Sequence, residues 1–88
     1  MRNIKLTGRE ASVIRAIGFA DPIPGADIVE HTRMEAEDIA DALNGLISAG
    51  FVETLPYAEH VAIAELNETA FEVNPAYVAQ LRTAMLRR

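Results

Sequence analysis

The side chains that could do acid–base or metal chemistry are two histidines and 13 carboxylates, in a chain without cysteine. His31 and His60 each stand beside a glutamate, but neighbouring side chains point about 100° apart on a helix and to opposite faces of a strand. Neither histidine lies in a His-Glu-x-x-His motif, and the five glycines are too scattered for a phosphate-binding loop. Ser12 and Ser48 lack the sequence of a nucleophile elbow. The sequence therefore predicts a non-enzymatic protein without a cofactor.

A metal site is the chemical alternative that the spacing leaves open. Glu30, His31 and Glu35 carry ordinary ligand groups and lie close together in the sequence. His31 is explained more simply as a residue at the end of a helix, where a positive charge suits the helix dipole. We therefore expect no metal ion.

Charge is the strongest signal in the chain. The 48 residues from Met34 to Leu81 contain nine carboxylates and no lysine or arginine, and the whole chain has a net charge of −5. Ordinary surface helices mix the two signs and gain from opposite charges one turn apart. A face of one sign indicates a binding surface, although surface helices also favour Glu and Asp in their first turn. Both explanations stay open from the sequence alone.

The elements that position these side chains begin with a helix. Thr7 and Glu10 have the spacing of a capping box, in which each side chain accepts from a backbone amide. Apolar residues at helical spacing predict about three turns, from Thr7 to Phe19. The segment 21–25, Asp-Pro-Ile-Pro-Gly, must end the helix, because each proline removes a donor and restricts the residue before it.

Two further helices follow. A short one is predicted from about Ala26 to His31, and Thr32 with Glu35 repeats the capping-box spacing at the start of a third. Gly50 is placed to end that helix in the left-handed conformation that glycine adopts readily. The predicted interior consists of Ile14, Ile17, Ile28, Val29, Ile39, Leu43, Leu46, Ile47 and Val52.

The period of the pattern changes after the third helix. Residues 51–55 and 69–73 predict strands, whereas residues 60–66 predict another strand or, alternatively, a turn or two of helix. Pro75 then opens a last helix at a position where its missing amide does no harm. The aromatic side chains are expected to pack in the core or the hairpin, since no cations are interleaved with them as in a base-stacking platform; they are Phe51, Tyr57 and Phe71.

This order of elements resembles a winged-helix domain, an α+β fold with a three-helix core and a β-hairpin wing. The resemblance rests on the block from Gly25 to Glu53, above all on Leu46-Ile47-Ser48-Ala49-Gly50-Phe51-Val52, which is similar to the family's usual passage from the third helix into the wing. It implies one domain over residues 1–88, with the helix-turn-helix core and wing at about 7–74 and an additional C-terminal helix at 75–88.

In winged-helix proteins that bind DNA, the third helix enters the major groove. The resemblance implies that the corresponding face here is acidic, since it would consist of Glu37, Asp38, Asp41, Asn44 and Ser48. A carboxylate held ~5 Å from a phosphate costs roughly 1 kcal/mol in water, so this charge disfavours DNA. We therefore expect the face to bind another protein, and the chain to act as a regulatory or assembly module.

The alternative function is a dimeric DNA-binding transcription regulator. Its phosphate contacts would come from the cations that precede the acidic stretch. These candidates are Arg2, Lys5, Arg9, Arg15 and Arg33.

A homodimer is predicted from the last helix. Tyr77, Val78, Leu81 and Met85, with Ala84 and Leu86, form an apolar surface broader than one packing stripe needs. Contact with a second copy would bury that surface. The alternative is that the helix packs between the first helix and the wing of its own chain.

Composition places the protein in the cytoplasm. No uninterrupted apolar run approaches the ~18 to 20 residues of a membrane span, so no membrane contact is expected. The first residues lack the apolar core of a signal peptide, and the absence of cysteine gives no sign of an oxidising compartment.

Overall fold

The computed structural model describes residues 4–86, which form helices packed on a small antiparallel sheet. The elements, in chain order, are the helix α1 (Gly8–Ile17), the strand β1 (Ile23–Pro24), the helices α2 (Gly25–Thr32) and α3 (Ala36–Ser48), the strand β2 (Val52–Leu55), a 3-10 helix (Ile63–Glu68), the strand β3 (Ala70–Val73), a 3-10 turn (Pro75–Tyr77) and the helix α4 (Val78–Leu86). The predicted α+β class is therefore confirmed.

The helix α1 begins at the capping box that the sequence predicts. The amide of Thr7 donates to Glu10 Oε1 at 2.9 Å, and the amide of Glu10 donates to Thr7 Oγ1 at 3.1 Å. The helix ends at Ile17, two residues before the predicted Phe19. Gly18 is the cause, because its φ of 75° takes the chain out of the helix before the prolines are reached.

The capping box predicted at Thr32 and Glu35 is wrong. Thr32 is the last residue of α2, and its hydroxyl donates back to the carbonyl of Ile28 at 2.8 Å. Arg33 then adopts the left-handed conformation, with a φ of 58°, and ends α2. The helix α3 starts at Ala36, directly after Glu35. Glu35 is its N-cap residue, and no side chain makes a capping hydrogen bond there.

The helix α3 ends as the sequence predicts. Gly50 has a φ of 86°, and its amide donates to the carbonyl of Ile47 at 3.0 Å. The amide of Phe51 donates to the carbonyl of Leu46 at 2.9 Å. This pair of bonds is a Schellman motif, which satisfies carbonyls at the end of the helix and directs the chain into β2.

The three strands are ordered β1-β3-β2 and are antiparallel. Val52 pairs with Val73 in the main hairpin, so the strands predicted within 51–55 and 69–73 are confirmed. The strand β1 was not predicted, since its two residues lie within the proline-rich segment that ends α1. Its pairing of Ile23 with Phe71 depends on a partner far along the chain.

The β2–β3 connection, residues 56–69, contains the 3-10 helix and no strand. The strand proposed for residues 60–66 is therefore wrong, and the helical alternative is the better description. Two sets of contacts explain this. The amide and the carbonyl of Val61 both form hydrogen bonds with the side chain of Asn44. Leu66 is fully buried, and its backbone packs so closely on Gly25 that a Cβ at position 25 would overlap the Leu66 carbonyl.

The core is larger than the sequence predicts. Seven of the nine predicted interior residues are buried, whereas Val29 and Ile47 are only half-buried. The β2–β3 connection, the strand β3 and the helix α4 supply further buried side chains, namely Val61, Leu66, Phe71, Val73, Leu81 and Ala84. The connection is thus part of the packed structure, and it covers part of the surface of α3.

Candidate protein-interaction surface

The predicted interaction face of α3 is divided by the structure. Glu37, Asp41 and Ser48 are exposed and follow one side of the helix, with Gly45 between them. We call these four residues the α3 strip. The other two predicted residues, Asp38 and Asn44, are half-buried and bind neighbouring elements instead.

Asp38 lies at the border between α3 and α1. Its Oδ1 is 3.4 Å from Nη1 of Arg9, so a cation from α1 offsets this carboxylate. The side chain of Arg9 is 64% exposed and that of Asp38 is 33% exposed, and ion pairs open to solvent in this way contribute at most about 1 kcal/mol. Glu10 lies along the same border, because a Cβ added at Gly45 would come within 3.3 Å of its Oε2. The helix α1 therefore limits the α3 strip on one side.

Asn44 limits the strip on the other side. Its Nδ2 donates to the carbonyl of Val61 at 3.0 Å, and the amide of Val61 donates to its Oδ1 at 2.8 Å. Val61 is only 2% exposed, so the β2–β3 connection packs firmly on α3 at this point. The side-chain amide of Asn44 both donates and accepts within the chain, so it is not a free contact group.

The α3 strip opens into a shallow depression beside the connection. This depression has a volume of about 340 Å³, and Glu37, Asp41, His60 and Ile63 are among the residues that line it. Ile63 is a large apolar side chain left half exposed at this edge. The surface therefore combines carboxylates with an apolar side chain from the connection.

Tyr57 is a surface residue that the sequence analysis missed. It was expected to pack, as Phe51 and Phe71 do, but its side chain is 80% exposed. Phe71 is buried, and the ring of Phe51 meets that of Tyr77 edge to face at 5.1 Å. The one local signal for the difference is that Tyr57 follows a proline in the predicted turn.

The predicted DNA contacts are spread over several places. Arg2 lies outside the described residues, Lys5 is exposed before α1, and Arg9 pairs with Asp38. Arg33 is exposed in the α2–α3 turn. Arg15 is exposed on α1.

Arg15 instead faces α2 across a depression of about 350 Å³. His31 lines the same depression, and so do the residues Ser12 and Thr32. The Nδ1 atom of His31 lies 2.7 Å from the carbonyl of Asp27, which orients the ring and leaves Nε2 for other contacts. A guanidinium, an imidazole and hydroxyl side chains at one place are suited to binding a phosphate or a carboxylate.

The candidate dimer interface on α4 is mostly occupied within the chain. Leu81 is 0% exposed, so it belongs to the chain's own core, which corrects its assignment to an interface. Tyr77, Val78 and Met85 are half-buried and pack against the core. Of the large apolar α4 side chains in the described part of the chain, Leu86 alone is exposed. The apolar surplus behind the dimer prediction is therefore small, and the dimer itself stays a prediction.

Other kinds of site were sought among residues 4–86. No three His, Asp or Glu side chains in this range lie close enough together to hold a metal ion. No helix within it has the length and apolar character needed to cross a bilayer. Comparison with known proteins gives no matching family model, no matching curated protein and no matching solved structure.

Proposed function

We propose that the chain is a winged-helix module that acts through contacts with other proteins, as a regulatory or assembly component. The order of its helices and strands and the sheet order β1-β3-β2 are compatible with that fold. In this assignment α2 and α3 form the helix-turn-helix, and the β2–β3 connection takes the place of the wing. The terminal helix α4 is an addition to the three-helix core.

The pair of hydrogen bonds between Asn44 and Val61 is the main support for protein contacts over DNA contacts. The major groove is about 12 Å wide, and a helix with its side chains is about 10 to 12 Å in diameter. A recognition helix must therefore present one bare side to the groove. Here the connection lies against α3 at Asn44, which narrows the exposed side of the helix to the α3 strip and makes groove entry less favourable.

The negative charge of the α3 strip also disfavours DNA. Glu37 and Asp41 are exposed there, and no described cation lies on α3 itself. A carboxylate ~5 Å from a phosphate costs roughly 1 kcal/mol in water and about 3 kcal/mol in a partly dry interface. The same charges would favour and orient a basic protein surface.

A second candidate function, the DNA-binding transcription regulator, is favoured by the depression between α1 and α2. Arg15 and His31 line it together, and Arg33 follows two residues later. Such groups could hold phosphates and position a duplex, although they would not read its sequence. This mode of binding would use the side of the molecule formed by α1 and α2.

Affinity capture from the source cells tests the protein-contact proposal. The double variant Glu37→Lys, Asp41→Lys reverses the charge of the α3 strip, and Glu30→Lys on α2 is a matched exposed control. We expect the wild type and the control to retain the same partner, and the double variant to lose it while its circular dichroism spectrum is unchanged. A partner that all three proteins bind equally would contradict the proposal.

A further inference from the structure

Tyr57 projects from the β2–β3 connection with almost no contact to its own chain. Its side chain is 80% exposed, and no aromatic or cationic partner meets its ring within residues 4–86. Tyrosine is among the residues most often found as energetic centres of protein interfaces, because its ring offers a large contact area with few rotatable bonds. An exposed tyrosine on a structured loop is therefore well suited to contact a partner protein.

The loop around Tyr57 is held on both sides. The amide of Ala58 donates to Thr54 Oγ1 at 2.6 Å, and this hydroxyl donates to the carbonyl of Ala58 at 3.3 Å. Further along, Val61 is tied to Asn44 by its two hydrogen bonds. The ring is thus presented by an ordered segment, so a partner loses little free energy to the ordering of this loop.

Tyr57 separates two depressions in the surface. The first has a volume of about 490 Å³ and lies between the end of α3, β2 and the loop, with Glu53 and Glu59 in its lining. The second has a volume of about 430 Å³ and is lined in part by His60, Glu65 and Glu68. Tyr57 lines both. Its ring therefore lies between two pairs of carboxylates.

Lysine and arginine are absent from this part of the chain. Residues 34–81 contain neither, so no cation from the chain segment that builds the site balances these carboxylates. Glu53 also lies directly opposite Glu72 in the β2–β3 pair, an arrangement of like charges that destabilises a sheet. A cation supplied by a partner would relieve this repulsion.

The free edge of β2 does not offer a place for strand addition. The backbone amide of Asn74 donates to the carbonyl of Phe51. Hydrogen-bonded and non-hydrogen-bonded positions alternate along an antiparallel pair, so the backbone groups of Val52 and Thr54 point away from β3. These two residues are only 2% and 3% exposed. Their backbone is covered, so recognition here must use side chains.

We propose that Tyr57 and the two depressions beside it bind an extended basic segment of a partner protein. One lysine or arginine of the segment stacks on the ring of Tyr57, and basic residues on either side of it lie against Glu53 and Glu59 and against Glu65 and Glu68. The inference rests on the proposed function and names the chemistry of the partner. A second copy of this chain that docks through the same surface is disfavoured as the occupant, because it would bring the same carboxylates to the site.

The test is a titration of the ¹⁵N-labelled full chain with a synthetic peptide, followed by two-dimensional NMR at pH 7.5. The probe is acetyl-Gly-Lys-Ala-Arg-Ala-Lys-Gly-amide, and the control peptide has Glu at the three basic positions. We expect saturable shifts of amide signals around Glu53, Ala58 and Glu65 with a dissociation constant of roughly 1 mM or below, and no shifts with the acidic peptide. Raising the salt concentration weakens the binding.

Two variants of the exposed ring separate stacking from simple apolar contact. Tyr57→Phe keeps the aromatic face and binds the peptide as the wild type does. Tyr57→Leu keeps apolar bulk but removes the π system, and its affinity falls about 3- to 30-fold. Equal affinity of Tyr57→Leu and wild type would overturn the stacking site.

The α3 strip provides a second check. Peptide-induced shifts confined to Glu37, Asp41 and their neighbours would overturn the Tyr57 site and leave the proposed function intact. Complete absence of binding would also overturn the Tyr57 site, while the capture experiment with the α3 variants decides the proposed function separately. Loss of the captured partner by Tyr57→Leu, with retention by Tyr57→Phe, would support both.

Discussion

The hydrogen bonds between Asn44 and Val61 should contribute substantially to the stability of this small domain. Asn44→Ala removes the partners of both the amide and the carbonyl of Val61, which is only 2% exposed. Leaving one buried polar group without a partner costs about 1 to 3 kcal/mol. Asn44 itself is half-buried, so water can recover part of this loss. We therefore expect a decrease of about 2 to 4 kcal/mol in the free energy of unfolding.

Urea denaturation followed by circular dichroism measures this decrease, and hydrogen exchange reports its location. The amide of Val61 should exchange much faster in Asn44→Ala, because the connection can open without unfolding of α3. Asn67→Ala is the matched control. Asn67 is exposed in the 3-10 helix, and its side chain makes no hydrogen bond to the described residues, so its replacement should change stability by less than about 0.5 kcal/mol.

The opposite result would remove the main structural support for the proposed function. If Asn44→Ala and Asn67→Ala had equal effects and the exchange rate of the Val61 amide did not change, Asn44 would not hold the connection on α3. The connection would then not narrow the exposed side of α3 in solution. Steric coverage would no longer count against groove entry, whereas the charge of the α3 strip still would.

Three further substitutions test the packing. Leu43→Ala empties a fully buried position and should lower the free energy of unfolding by about 2 to 5 kcal/mol in the same urea experiment. Gly25→Ala would place a Cβ onto the backbone carbonyl of Leu66, so a loss of about 1 to 3 kcal/mol or more is expected, and an unchanged urea midpoint would contradict the close contact. Leu81→Asp buries a carboxylate in the core and should unfold the chain, as judged by circular dichroism and size-exclusion chromatography; a folded, stable Leu81→Asp protein would show that Leu81 is not a core residue.

The features that the sequence predicts well depend on residues close together in the chain. The capping box joins Thr7 and Glu10, which are three positions apart, and the longer bond of the Schellman motif around Gly50 joins residues five positions apart. Such bonds form within one turn of chain, so residue type and spacing are sufficient to predict them. The same is true of Pro75 after Asn74, whose side chain accepts from the amide of Ala76 at 3.0 Å.

The capping box predicted at Thr32 and Glu35 shows the limit of spacing. Its residue types match those at Thr7 and Glu10, but the residue after Thr32 adopts a positive φ. Arg33 gives no local sign of this, since few residues other than glycine do so. The backbone conformation at Arg33, and not the spacing of the motif, therefore determines where α3 begins.

The division of the α3 face could not be predicted, because its cause is distant in sequence. Asn44 and Val61 are 17 residues apart, and an asparagine on the outer side of a helix gives no indication of its partner. The pairing of Arg9 with Asp38 crosses from α1 to α3 in the same way. The net acidity of the face was visible in the sequence, whereas which of its side chains are free was not.

Measurement of duplex binding decides between the protein-contact module and the DNA-binding regulator. Fluorescence anisotropy with mixed-sequence and genomic duplexes at physiological salt should show no binding tighter than about 10 μM, where ordinary non-specific binders lie at roughly 1 to 100 μM. Charge-neutral replacement of Glu37 and Asp41 should by itself leave DNA binding weak, because the β2–β3 connection still lies on α3. Specific nanomolar binding by the wild type that Arg33→Ala weakens would contradict the account and establish the DNA-binding regulator in its place.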